Sequence, residues 1–210
     1  MADDHAAKAI SSYGGGLNDT PNIDRIAHEG VRFDHCYVTN SICTPSRAAI
    51  LTGTYNHVNC VKTLDTHMDN DLPHVAKHLQ TGGYQTAIVG KWHLGEGKLH
   101  EPKGFNFWSV LPGQGEYFDP FMIEMGKERE EFGYVTDIIT SKCINWLNSR
   151  DESKPFFLMC HHKAPHREWE PHPKNRNLFD EDIKVPETCD VSGTFISVSY
   201  THLTLPTSSQ

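Results

Sequence analysis

A cysteine, a proline and an arginine lie close together in the segment Cys-Thr-Pro-Ser-Arg at residues 43–47. Proline is favoured at the first position of a helix, so the segment predicts a helix N-terminus with Cys43 just outside it. Free backbone N–H groups and the positive helix dipole favour an oxyanion such as sulfate or phosphate there. Arg47 could bind the same anion through two N–H donors. On this pattern alone, a buried cysteine beside a capped helix also stays open.

Two adjacent carboxylates, Asp3 and Asp4, stand close to the start of the sequence. Carboxylate oxygens are the hard ligands that calcium prefers. Adjacent aspartates on a surface loop are also commonly just solvated charges, and the pair alone does not decide between the two. In an open α/β sheet, ligands bind at the carboxyl ends of the parallel strands. A strand presenting this pair is therefore expected to lie before Met1.

A lysine and a histidine are spaced two residues apart in Gly-Lys-Trp-His-Leu-Gly at residues 90–95. In an extended chain Lys91 and His93 point the same way. The pair could therefore hold an anion and move a proton, although two exposed polar groups would show the same pattern.

Three histidines fall within His-His-Lys-Ala-Pro-His at residues 161–166. Histidine clusters suggest zinc. Pro165 disrupts helical spacing, however, and no glutamate stands in a His-Glu-x-x-His pattern. A zinc site is therefore disfavoured.

Taken together, these segments resemble type I sulfatases of the alkaline phosphatase superfamily. The family signature Cys-x-Pro-Ser-Arg is continued here by Ala-Ala-Ile-Leu-Thr-Gly at 48–53. Ala-Asp-Asp at 2–4, Gly-Lys-Trp-His at 90–93 and Ala-Pro-His at 164–166 also match family segments and occur in the family's order. The resemblance runs from residue 2 to about residue 188.

The resemblance implies that Cys43 is oxidised to formylglycine by a formylglycine-generating or sulfatase-maturating enzyme. One hydroxyl of the hydrated aldehyde would attack sulfur, and the other would help to regenerate the aldehyde. The modified Cys43, Asp3 and Asp4 would bind a divalent cation, calcium or alternatively magnesium.

The resemblance also assigns catalytic roles to several side chains. Lys91 would contact the sulfate, His93 would bond the hydrated aldehyde, and His166 would lie near the leaving oxygen. The expected catalytic set is Cys43, Arg47, Lys91, His93 and His166.

The implied reaction is hydrolysis of sulfate esters, with sulfated small molecules or glycans as substrates. One alternative is a phosphonate monoester or phosphodiester hydrolase of the same superfamily. Another is an unmodified, non-catalytic fragment. The family's later Asp-Asn or Asp-His metal pair and its second lysine are expected beyond this chain, so the isolated fragment is expected to be inactive.

Composition limits the function classes. The 210 residues carry 27 acidic and 19 basic side chains, a net charge of −8 that disfavours nucleic-acid binding. No apolar run is long enough to predict a transmembrane helix, and no membrane partner is expected. Six cysteines include no Cys-x-x-Cys pair, which disfavours a zinc ribbon. The residues leave the location unknown, whereas the family resemblance implies a periplasmic or secreted protein.

Hydrophobic periodicity and turn residues predict the elements that position these groups. Helices are predicted at about 21–29, 44–53, 71–80 and 135–147. Strands are predicted at about 31–38, 84–89 and 155–160, and a loop-like segment at 100–133. The alternation indicates an α/β fold with a mostly parallel central sheet flanked by helices. The resemblance implies the alkaline-phosphatase-like architecture, here incomplete.

Two regions are distinguished by sequence. Residues 1–190 are expected to be the N-terminal part of a sulfatase catalytic domain, cut at both ends. Residues 191–210 are expected to be a non-native tail that resembles the translation of a sequencing adapter from about residue 198. A threonine-rich edge strand is the alternative for that tail, and such tails are left out of fold prediction.

Overall fold

A computed structural model describes residues 1–178, so the tail predicted at 191–210 lies outside the described residues. The chain divides into two compact units. The first combines Met1–Asp3 with Val38–Trp169, and the second contains, of the described residues, Asp4–Tyr37 and 170–178. Within the described residues, every helix is too short or too polar to cross a membrane.

A five-stranded sheet forms the centre of the first unit. Its strands are β1 (Gln85–Lys91), β2 (Phe107–Leu111), β3 (Phe121–Glu124), β4 (Lys127–Glu130) and β5 (Phe156–His161). The order is β4-β3-β2-β1-β5. Strand β1 pairs in parallel with both β2 and β5, whereas β3 pairs antiparallel with β2 and β4. The sheet is therefore mixed, with three parallel strands at the side that carries β1.

Helices cover both faces of this sheet. The helices are α1 (Pro21–Glu29), in the second unit, and α2 (Cys43–Thr52), α3 (Asn56–Asn59), α4 (Val75–Thr81) and α5 (Val135–Ser149), in the first. Successive residues of a strand face opposite sides. Accordingly Ile88 packs with α2 and α4 in one buried cluster, whereas Val89 packs with α5 in another. The expected α/β class with helices flanking a sheet is confirmed.

The predicted strand at 31–38 is wrong, because the structure has no strand there. Its apolar side chains are exposed, including Val31, Phe33 and Tyr37. Alternating residues make a strand only when another strand pairs with them, and no strand within residues 1–178 does so.

The segment 100–133 is also not a loop, because it contains β2, β3 and β4. Its glycines and prolines lie mainly at the turns between strands of four or five residues. One example is Gly126, whose φ of 79° lies in the left-handed region. The many turn residues of this segment therefore made its short strands unrecognisable from the sequence pattern.

Two helix starts differ from the prediction. Helix α4 begins at Val75 and not at residue 71, consistent with Pro73 disfavouring helical geometry in the residue before it. Helix α2 begins at Cys43 itself, with extended Ile42 as its N-cap. Cys43 is thus the first helical residue, and its backbone N–H still has no acceptor from a preceding turn. The predicted helix at 21–29 is confirmed.

Candidate active site

The carboxyl ends of β1 and β5 and the start of α2 bring the candidate side chains together. Strand β1 ends at Lys91, and β5 ends at His161. Ala2 forms a parallel bridge with His162, which places Asp3 beside the end of β5. Ligands of open α/β sheets bind at this edge.

Close strand spacing at this edge depends on a glycine. Gly90 has a φ of 103°, and a Cβ atom there would lie 1.9 Å from the carbonyl oxygen of His161. Only glycine fits at such a distance without moving the backbone.

A buried carboxylate joins two buried cations. Asp3 accepts a hydrogen bond from Arg47 Nη2 at 3.0 Å and another from Lys91 Nζ. All three side chains are nearly inaccessible to solvent. Burial alone would raise the pKa of Asp3, but the charges and hydrogen bonds of Arg47 and Lys91 outweigh it and lower that pKa. The aspartate is therefore ionised at neutral pH.

Cys43 and His166 lie next to Asp3. One ligand atom of each of the three residues lies within 4.8 Å of the others, and all three residues are buried. The structure thus brings together five of the predicted residues around one small volume: Asp3, Cys43, Arg47, Lys91 and His166.

His93 is half-buried near these cations. Its Nδ1 is buried and has no hydrogen-bond partner among the described residues. Burial first, and then the charges of Lys91 and Arg47, lower the pKa of His93 to about 4. The imidazole is therefore neutral at neutral pH and can accept a proton.

Sequence reasoning assigned no role to His161, which the structure places against Arg47. Its Nδ1 lies 3.2 Å from Arg47 Nη1 and 3.2 Å from the carbonyl oxygen of Lys91. Burial and the neighbouring guanidinium lower the pKa of His161 to about 3. A neutral imidazole here leaves the positive charge to Arg47 and Lys91.

A further layer of contacts supports Lys91 and His166, and it includes Gln114, which sequence reasoning missed. Lys91 Nζ donates to Gln114 Oε1, and Lys163 Nζ donates to the backbone carbonyl of Gln114 at 3.3 Å. Tyr117 donates its hydroxyl to the carbonyl of His166. Because Gln114 and Tyr117 follow the carboxyl end of β2, recognition of that strand would have been the signal for them.

Asp4 belongs to the second unit, where its φ of 59° lies in the left-handed region. Its assignment as a metal ligand stays a prediction.

The donor set near Asp3 suits a hard cation only after Cys43 is modified. A thiolate sulfur is a soft donor that selects other metals, whereas carboxylate and hydroxyl oxygens suit calcium or magnesium. Asp3 supplies such an oxygen, and an oxygen in place of the Cys43 sulfur would supply another within the same 4.8 Å group. The residues present therefore fit a divalent cation together with an oxygenated side chain at position 43.

A polar cavity of about 210 Å³ opens beside these groups. It is lined by Thr44, Leu64, Asp65, His67, His93, Gly95, Glu96 and Gly113. A larger cavity of about 510 Å³, between α2 and α4, contains none of the predicted site residues. Of the predicted site residues, His93 lines the smaller cavity, and Thr44 beside Cys43 lines it as well.

Residues 1–190 match the family model described as Sulfatase, and the chain belongs to the sulfatase family. Over 186 residues it is 50% identical to the N-acetylglucosamine-6-O-sulfatase of Bacteroides thetaiotaomicron, covering 87% of this chain and 33% of that protein. The expected family is thus confirmed, and the chain spans about a third of the length of this relative.

Two solved structures extend the comparison. One, a complex with its substrate D-glucosamine-2-N,6-O-disulfate, has a TM-score of 0.85 and 49% identity, covering 90% of this chain and 38% of that one. The other is a phosphonate monoester hydrolase of Agrobacterium radiobacter, with a TM-score of 0.62 and 21% identity, covering 84% and 42%. The second likeness is one of fold alone.

Proposed function

We propose that the protein containing this chain is a sulfuric ester hydrolase acting on sulfated carbohydrates, best represented by glucosamine sulfated at O6. One observation carries the proposal: Cys43 begins a helix inside a buried group of cations and imidazoles. Such a group binds a tetrahedral anion beside a nucleophile. The substrate class rests on the similar N-acetylglucosamine-6-O-sulfatase and on the complex with a glucosamine disulfate.

The cations give the site its affinity for sulfate. Arg47 and Lys91 are held by Asp3 in a volume from which water is largely excluded, so their attraction for a sulfate group is little screened. The backbone N–H groups at the start of α2 add to it. Charge that develops on the sulfate oxygens in the transition state is stabilised by the same groups.

The imidazoles of His93 and His166 are the groups proposed to bind and donate protons. His93 is neutral at neutral pH, and its imidazole nitrogen would accept a hydrogen bond from the hydroxyl at position 43. His166 lies within 4.8 Å of Cys43 and is the group placed to give a proton to the leaving alcohol oxygen.

Two groups complete the proposed site. Formylglycine, made from Cys43 by a formylglycine-generating or sulfatase-maturating enzyme, would supply an oxygen nucleophile in its hydrated form. Asp3, Asp4 and position 43 would hold a calcium ion, or alternatively magnesium, which would offset the charge of the sulfate oxygens. The proposed location is periplasmic or secreted, as the family resemblance implies.

The proposal is tested on the complete protein, produced together with a maturating enzyme. Its tryptic peptide 33–47 is expected to lose about eighteen daltons as the Cys43 thiol becomes an aldehyde. Because this peptide also contains Cys36, fragment ions must place the loss at position 43, and Cys36→Ser is the matched control.

Turnover is then compared on glucosamine 6-O-sulfate and glucosamine 6-phosphate. Faster cleavage of the sulfate ester, abolished by Cys43→Ala, is the expected result. Faster cleavage of the phosphate ester would favour the phosphohydrolase alternative. An unmodified thiol with no turnover would favour the non-catalytic alternative.

A further inference from the structure

Two cysteines outside the proposed site lie against each other in the core. Cys143 on α5 belongs to a buried hydrophobic cluster against which Cys160 on β5 packs, and the two thiols lie close enough for each to shift the pKa of the other. Cys143 is 5% exposed, and Cys160 is half-buried. Contact between two thiols on facing elements is the arrangement that a disulfide needs.

An imidazole stands beside one of the two sulfurs. His162 Nε2 lies 3.5 Å from Cys160 Sγ, since residues two apart at the end of β5 face the same side. The neighbouring Cys143 thiol and His162 lower the pKa of Cys160, whereas Cys160 and burial raise the pKa of the Cys143 thiol. Cys160 is therefore the thiol of the pair that ionises more readily, and Cys143 is its buried partner.

We propose that Cys143 and Cys160 are a disulfide-forming site that links α5 to the strand leading into the active site. The oxidant is a small disulfide such as oxidised glutathione, or a disulfide-donating oxidoreductase. Such reagents are available outside the cytosol, where secreted and periplasmic proteins keep their disulfides. This site is independent of the hydrolase chemistry.

The exchange proceeds in two balanced steps. The Cys160 thiolate attacks one sulfur of the oxidant, which forms a mixed disulfide and releases a thiolate. Cys143 then attacks the Cys160 sulfur, and the second thiolate leaves with the proton that the Cys143 thiol gives up. The two cysteines lose two electrons in all, and the oxidant is reduced to two thiols.

The test uses the complete protein in glutathione buffers of increasing oxidising potential, quenched with N-ethylmaleimide and digested with trypsin without reduction. Trypsin leaves Cys143 in peptide 143–150 and Cys160 in peptide 151–163, because the Lys154–Pro155 bond resists cleavage. A linked pair of these two peptides, removed by dithiothreitol, is expected in oxidising buffer. Exposed Cys36 and Cys60 are the internal controls and are expected to carry maleimide or glutathione.

Variants separate the two steps. In Cys143→Ser, Cys160 is expected to retain glutathione as a mixed disulfide; in Cys160→Ser, Cys143 is expected to react with maleimide only after unfolding. Absence of the linked peptides in oxidising buffer would overturn the proposal. So would pairing of Cys143 with Cys60 as often as with Cys160, or the same yield of linkage in the urea-unfolded chain.

Discussion

Arg47 and Asp3 form a buried ion pair, with 3.0 Å between the guanidinium Nη2 and the carboxylate Oδ1. Arg47 also donates from Nη1 to the carbonyl of Lys91 at 2.6 Å. Arg47 therefore links α2 to the end of β1 and to Asp3, the proposed metal ligand. The contacts that shape the anion site also hold the elements together.

Replacing Arg47 with methionine is expected to destabilise the chain by about 3–5 kcal/mol, because Asp3 would lose a partner while it stays buried. Urea unfolding of the 210-residue chain measures the change. The matched control is Arg25→Met, which removes an exposed i,i+4 pair with Glu29 and is expected to cost about 0.5 kcal/mol or less. Equal costs for the two variants would mean that the buried pair gives no net stabilisation.

Replacing Lys91 with methionine is expected to lower kcat/KM of the complete protein about 100- to 1000-fold, since a buried cation that faces the sulfate would be lost. Steady-state kinetics on a sulfated glucosamine give the ratio. Lys103, which forms an exposed ion pair with Asp71, supplies the control variant Lys103→Met, expected to retain activity. An active Lys91→Met enzyme would remove Lys91 from the proposed site.

Tyr117→Phe removes the hydroxyl that donates to the carbonyl of His166 while the buried ring remains. We expect a loss of about 1 kcal/mol of stability. We also expect kcat to fall about tenfold with little change in KM, because the loop that carries His166 shifts. Tyr55→Phe, at an exposed tyrosine, is the control. A rise in KM without a change in kcat would instead assign Tyr117 to substrate binding.

A pH-dependent loss of stability is expected from His74, which is 1% exposed and whose two ring nitrogens lack partners among the described residues. Burial, and then Lys77 and His78, lower its pKa to about 4 from an ordinary 6.5. The unfolded chain therefore binds the proton first. His74 leaves stability unaffected above pH 6.5 and reduces it progressively as pH falls towards 4, by about 2–3 kcal/mol in all.

His74→Leu should remove that share of the loss and flatten the stability curve between pH 6.5 and 4. Chemical unfolding at several pH values is the measurement. Exposed His57 gives the control His57→Gln. If the stability of His74→Leu falls with pH as steeply as that of the unsubstituted protein, other groups cause the loss of stability. His93 and His161, whose pKa values are also lowered, are the first candidates.

Sequence patterns were informative where local chemistry determines structure. Pro21 and Gly30 bracket a helix that the structure contains, and Pro45 places Cys43 at a helix start. The apolar run before Lys91 identifies β1 because a strand buried on both faces needs no polar alternation. These predictions depend only on neighbours within a few residues.

Long-range pairing was not predictable in this way. The alternation at 31–38 has no partner strand among the described residues, whereas β3 and β4 form despite many turn residues, because each pairs with a neighbouring strand. Gln114 was missed for the same reason, since it meets Lys163 only where β2 and β5 end on one edge. Such contacts come from topology and not from local spacing.

Gly90 imposes a constraint on the sheet that its apolar core positions do not impose. A side chain there would meet the His161 carbonyl oxygen at 1.9 Å, so β1 and β5 would have to separate where Lys91 and His161 are presented. Drift in the sequence can exchange one apolar core residue for another of similar volume at little cost. Position 90, by contrast, accepts only glycine as long as β5 stays where it is. A lineage that gains a side chain there must also change the backbone of the neighbouring strand.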